Sequence, residues 1–202
     1  MPVQTVLETS TSFALGAGGV LASNLENVVI ALAAFCGRMS VSALRAGFMA
    51  GLFALLGFSW IAGSAAGLMS PHYLGYLGLI PVLLGLHELY QGGRQRAKDR
   101  GSRPLRRFTR PVAAVALLMI ASGTDTVAVF TPLIAESETT DRLMQAVGYL
   151  VAGARLAWFC AHACEHPSLA RPIERHGARV APLLMIGIGG YILLNTATDT
   201  LP

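Results

Sequence analysis

Two carboxylates stand inside long apolar runs of this 202-residue chain: Glu26 in SNLENVVIAL and Asp125 in SGTDTVAVFT. Each is followed by a polar neighbour, Asn27 or Thr126, with Asn24 and Thr124 close before them. An aspartate at the centre of a membrane helix costs about 2.5–3.5 kcal/mol, so two such acids in similar settings call for a purpose. Carboxylates, amides, hydroxyls and nearby backbone carbonyls together make an oxygen-rich, negatively charged cavity. That donor set suits a divalent cation, or protons exchanged for it. The plainer alternative is a pair of protonated or hydrogen-bonded structural acids. Small residues precede both acids, GAGGVLASN before Glu26 and ASGT before Asp125. Both stretches are expected to unwind and offer carbonyls to a ligand.

Other groups invite a chemical reading. Arg155 lies deep in an apolar segment and is a candidate counter-ion for the acids, or a binder of a substrate carboxylate. WFCAHACEHP gathers Cys160, His162, Cys164 and His166. On a helix Cys160 and Cys164 share one face, and His162 and His166 another. The two pairs diverge, so Cys160, Cys164 and His162 are weak candidates for one metal site. The odd cysteine count, Cys36 being the third, does not read as a disulfide framework. The Cys160–Cys164 spacing is also unlike a C-x-x-C redox pair, which argues against a membrane thiol enzyme; no enzymatic activity is expected. Pro81 and Pro182 are expected to kink their helices, and His87 and Glu88 to be interfacial.

The elements that would position these groups follow from composition. The chain is 53% hydrophobic and only 13% charged, about half the charged fraction of a soluble domain. Several apolar runs reach the ~20 residues that cross a bilayer. They are too long, and too uniformly apolar, for barrel strands. The expected fold is an all-α membrane protein with six spans, near residues 11–35, 44–66, 72–90, 112–135, 143–164 and 178–197. The N-terminus MPVQTVLETS lacks the basic region of a cleavable signal.

Charge orients the spans. The connection between spans three and four carries Arg94, Arg96, Lys98, Arg100, Arg103, Arg106, Arg107 and Arg110. Such a loop is held in the cytoplasm. Arg38 and Arg45 then fall on the same side, as do Arg171, Arg175 and Arg179, and both termini are expected outside. The basic clustering in one loop, read as a topogenic, solvated connection with anionic-lipid binding as the alternative, argues against nucleic acid despite the net charge of +4.

The second half echoes the first. ENVVIAL parallels DTVAVFT, and GLIPVLLGLHEL around Pro81 parallels VAPLLMIGIGGYILL around Pro182. Glu26 precedes Pro81 by 55 residues and Asp125 precedes Pro182 by 57. Duplication of a three-span unit reverses the second copy in the membrane. Residues 1–90 form one repeat, 91–111 the basic loop and 112–202 the other. Inverted repeats of this kind bring equivalent residues to similar depth at a midplane site.

These blocks resemble the bacterial cadmium-resistance transporter family, within the wider lysine-exporter superfamily. The likeness rests on LGYLGLIPVLLGL, VALLMIASGTDTVAVFTPLIA, EHP with IERHGARVAPLLMIGIGGYILL, and NLENVVIAL, in that spacing. It implies a multi-pass permease of the bacterial cytoplasmic (inner) membrane exporting cadmium or a related divalent cation. Proton influx through the same carboxylates would drive it, with no permanently bound cofactor. The partners are the cation and the lipid bilayer, with a homo-oligomer left open. The family pattern has Asp-Asn at both acid positions, and members carry a cysteine shortly before the second; Glu26-Asn27, Asp125-Thr126 and the thiol-free ASGT depart from it, and a site without that thiol opens zinc or manganese as the ion carried. An exporter of a small organic solute such as an amino acid, with Arg155 as its support, is the alternative.

Overall fold

The computed structural model describes residues 2–35, 39–68, 75–91, 110–165 and 182–194, and every described element is helical. α1 spans Pro2–Phe35 and α2 spans Val41–Ala66, opened by a Ser40 hydroxyl that accepts from the Ala43 amide. A 3-10 turn, Gly75–Gly78, leads into α3, Leu79–Gln91. α4, Pro111–Ser122, starts on a proline, where a missing N–H costs nothing. α5 is Thr124–Glu136, α6 is Thr139–Glu165 and α7 is Pro182–Leu194. The basic loop lies outside the described residues.

α2 and α6 are each long and apolar enough to cross a membrane, and α4 with α5 makes a third candidate span bent by 64°. The sequence led us to expect six. α1 has ample length at 34 residues but begins with the polar segment VQTVLETSTS. α3 and α7 are shorter apolar helices. Phe53, Phe58, Ile61, Leu83, Trp158 and Leu183 are exposed on the outer surface, where acyl chains would solvate them as well as a protein core does.

Helices in lipid gain little from hiding apolar surface from one another, so close backbone approach and dispersion hold them together. α1 packs chiefly on α6, and α2 on α4 and α5. Glycine makes both approaches feasible. A Cβ on Gly148 would fall on the Phe13 carbonyl oxygen of α1, and one on Gly47 would stand 2.7 Å from the Val112 carbonyl oxygen of α4. α3 and α7 meet in the same manner. A Cβ on Gly85 would lie 2.7 Å from the Pro182 carbonyl oxygen, and one on Gly189 would lie 2.7 Å from that of Gly78.

Two local expectations change. α1 runs unbroken through GAGGVLASN and Glu26, because a helix interior tolerates scattered glycines when a neighbour packs on them. Pro81 falls in the first turn of α3 and Pro182 is the first described residue of α7. Proline in a first turn blocks no intrahelical bond, so Pro81 helps to open its helix rather than kink it.

Replacing Gly148 by leucine should cost about 1–3 kcal/mol through overpacking against α1. Gly57 has open space around it, and Gly57→Leu should leave stability nearly unchanged. Thermal unfolding of the two purified variants in detergent checks the contrast.

Candidate cation site between the first and fourth segments

The bent pair α4–α5 breaks at Gly123, whose φ of −84° and ψ of 15° leave the helical path. A side chain there would collide with Leu55 of α2 and approach the Met119 carbonyl oxygen to 2.8 Å. The close seat of α2 therefore demands glycine at the break. The expected interruption before Asp125 is present, whereas its counterpart before Glu26 is not.

The break places Asp125 in the first turn of α5, 5% exposed. Unshared backbone N–H groups at a helix start favour a carboxylate there. The Ser122 hydroxyl turns back onto the Leu118 carbonyl at 2.8 Å, one turn before the break. On α1, the Ser23 hydroxyl makes the same bond to the Gly19 carbonyl at 2.9 Å. Such back-bonding weakens and bends regular helix.

A chain of hydrogen bonds then joins α1 to α5. The Asn27 amide donates to Asn24 Oδ1 at 3.0 Å. The Asn24 amide donates to Ser23 Oγ at 2.9 Å and to Thr126 Oγ1 at 3.0 Å. The Thr126 hydroxyl donates to Ser23 Oγ at 3.1 Å. Ser23, Asn24, Asn27 and Thr126 are all buried. Each donation ends on an oxygen, and the last ends on the Gly19 carbonyl, so the network holds these groups in one orientation at low dielectric. Oxygen ligands held this way suit a hard or borderline divalent ion.

Of the residues expected at the site, Asn24, Asn27, Asp125 and Thr126 gather at this junction. Glu26 lies on α1 between the two asparagines, with its side chain outside the described set. Thr124 is exposed and makes none of the hydrogen bonds just described. Ser23 was missed by the sequence reading, although a serine stands three residues before each acid, in SNLE and SGTD.

Arg155 is exposed on α6, and the fold does not bring it to Asp125. The Cys–His cluster also divides. Cys160 is a buried free thiol whose Sγ lies 4.0 Å from the Val28 carbonyl oxygen, while Cys164 is disulfide-bonded, contrary to the expectation of unlinked cysteines. A sulfur in a disulfide is not a thiolate ligand. His162 stacks on Trp158, with ring centroids 5.2 Å apart, and lies 3.7 Å from Glu165. His166 falls outside the described residues. Among the described residues, no group of three or more His, Cys, Asp and Glu side chains converges as a metal site.

Asn24→Leu strands the partners of a buried amide, and should cost about 1–3 kcal/mol of stability. Thr126→Ser keeps the hydroxyl and should cost much less. Unfolding midpoints of both variants test whether the network is the seam we describe.

The comparisons with known proteins bear on what this junction serves. The family model described as cadmium resistance transporter matches residues 22–201, which contain Ser23, Asn24, Asn27, Asp125 and Thr126. No match was found among curated proteins or solved structures. With that match covering most of its length, the chain belongs to the cadmium resistance transporter family.

Proposed function

We propose that this protein is a six-span permease exporting divalent heavy-metal cations of the cadmium type from the cytoplasm, with Glu26 and Asp125 as the carrying carboxylates. The observation that carries the reading is Asp125, buried at a helix break and beside a hydrogen-bonded seam between the two halves of the chain. A half-helix end at the midplane, joined to irregular backbone, is the arrangement transporters use to hold an ion. Ser23, Asn24, Asn27 and Thr126 complete the oxygen-rich surroundings.

An inverted repeat is supported by contacts that recur under a near-constant shift in number. Gly148 abuts the Phe13 carbonyl, and Gly47 the Val112 carbonyl. Val112 stands 99 residues after Phe13, the same shift that takes Glu26 to Asp125 and Ser23 to Ser122. The α3–α7 pair supplies its own image. Gly85 meets Pro182 and Ile186, while Gly189 meets Gly78 and Val82, each through the corresponding atoms. This pairing aligns Pro182 with Gly78 rather than with Pro81, so the two prolines are not equivalent positions. A two-fold axis in the membrane plane would generate both sets of contacts. Both termini would then lie outside and the basic loop inside.

Proton coupling follows from the chemistry of a buried carboxylate. A carboxylate holds either a proton or a divalent ion, and binding of the ion displaces the proton. Alternating exposure of the same acids would therefore exchange metal for protons. The cargo ranges from cadmium to zinc or manganese, since the described ligands are oxygens. The organic-solute alternative loses its main support, because Arg155 faces outward.

Cells expressing Asp125→Asn or Glu26→Gln at normal levels should lose their protection against cadmium, zinc and manganese, to that of cells lacking the protein. Growth at graded metal concentrations measures this. Full protection by both variants would refute the assignment.

A further inference from the structure

At the N-terminal end of α1 a second polar cluster lies between α1, α5 and α6. Ser12 Oγ donates to Asp141 Oδ1 at 2.7 Å. Asp141 and Gln145 share a face of α6, one turn apart, and the α1 residues opposite them are Ser12 and Gly16, also one turn apart. A Cβ on Gly16 would fall on the Gln145 backbone, so the two helices touch here.

The Gln145 side chain is 2% exposed, and its Nε2 donates to Ser137 Oγ at 2.7 Å. The Ser137 hydroxyl has one proton, and that proton goes to the Leu133 carbonyl at 2.7 Å. Ser137 can therefore only accept from Gln145, which fixes the amide orientation. Gln145 Oε1 is left as a buried acceptor with no hydrogen-bond partner. Held on Ser137 at the end of α5, this oxygen sits within the cluster. A buried carbonyl oxygen left so costs about 1–3 kcal/mol unless something meets it. The surroundings are acidic: Glu136 ends α5, Glu138 is next but one, and Asp141 faces Ser12. Arg142 borders the cluster on its α5 side, its Nε donating to the Ser137 backbone carbonyl at 2.7 Å.

Between this cluster and the Asp125 junction stands an aromatic pair. Phe130 and Tyr149 are fully buried and meet edge to face, with centroids 4.8 Å apart. Tyr149 is anchored by its hydroxyl to the Leu52 carbonyl at 3.1 Å. Phe130 lies 2.8 Å from the position a Cβ on Gly19 would take. Along α1 the order is thus Ser12 and Gly16 at the end cluster, Gly19 under the aromatic pair, then Ser23, Asn24 and Asn27 at the junction.

We infer that Gln145 Oε1 and the Asp141 carboxylate, with Glu136 beside them, form a second station for a divalent cation, separated from the Asp125 site by the Phe130–Tyr149 plug. The ligand is a hydrated divalent ion taken by oxygen atoms alone. With fewer fixed ligands than the central junction, this station binds more weakly, as suits an ion about to leave. Its place on the exit side rests on the export reading; its existence does not.

Equilibrium dialysis of cadmium ion against the purified full-length protein tests this. Wild type should bind a tight and a weaker ion. Asp141→Asn keeps an oxygen for the Ser12 bond, and should weaken only the second ion, by about tenfold or more. Gln145→Met, which removes the oxygen, should do likewise, and Asp125→Asn should lose the tight ion and keep the weak one. A weak ion unaffected by Asp141→Asn and Gln145→Met, or absent from Asp125→Asn, overturns the station. Loss of all binding in Asp141→Asn with none lost in Asp125→Asn would keep the station and discard the central site.

Discussion

A carboxylate buried at a helix break sets the terms for everything around it. Asp125 is 5% exposed, and a charge in a low-dielectric interior persists only where dipoles or a counter-charge replace water. The break at Gly123 supplies a helix start beneath the acid. The seam of Ser23, Asn24, Asn27 and Thr126 fixes the opposite wall. A Cβ on Gly123 would meet the Leu55 side chain of α2 and come within 2.8 Å of the Met119 carbonyl oxygen. The site is therefore a consequence of how closely three helices can approach, and small residues at their crossings govern that approach.

The two halves treat the same chemistry differently. The stretch before Asp125 breaks the helix, while the stretch before Glu26 stays helical within the 34 residues of α1. One wall is consequently a continuous rod and the other a jointed one. The joint, bent by 64°, is the natural place for a change of access. Glycine and serine weaken helix in both sequences, yet only the second breaks: Gly19 lies against the Phe130 ring and Gly123 against the Leu55 side chain of α2.

Much of this was legible from residue types. Asn24, Asn27 and Thr126, which hydrogen bonds join, stood out in the sequence because polar groups in apolar runs need a reason. Family membership was legible from the order and spacing of whole blocks. Positions that depend on side-chain direction were not. Arg155 and Thr124 sit in register with the site along the chain but face outward, and helical phase alone did not fix that. The disulfide at Cys164 was hidden because spacing says nothing about tertiary neighbours. The glycine-to-carbonyl contacts between α3 and α7 were not legible, because glycines scattered through an apolar sequence carry no such signal by themselves.

The central claim is that Glu26 and Asp125 carry a metal ion outward in exchange for protons. Radiolabelled cadmium uptake into everted membrane vesicles tests it most directly. The account predicts accumulation that requires an acidic vesicle interior and collapses when a proton ionophore dissipates the gradient. Vesicles holding the protein that accumulate no more cadmium than vesicles without it, with the gradient intact, would contradict it.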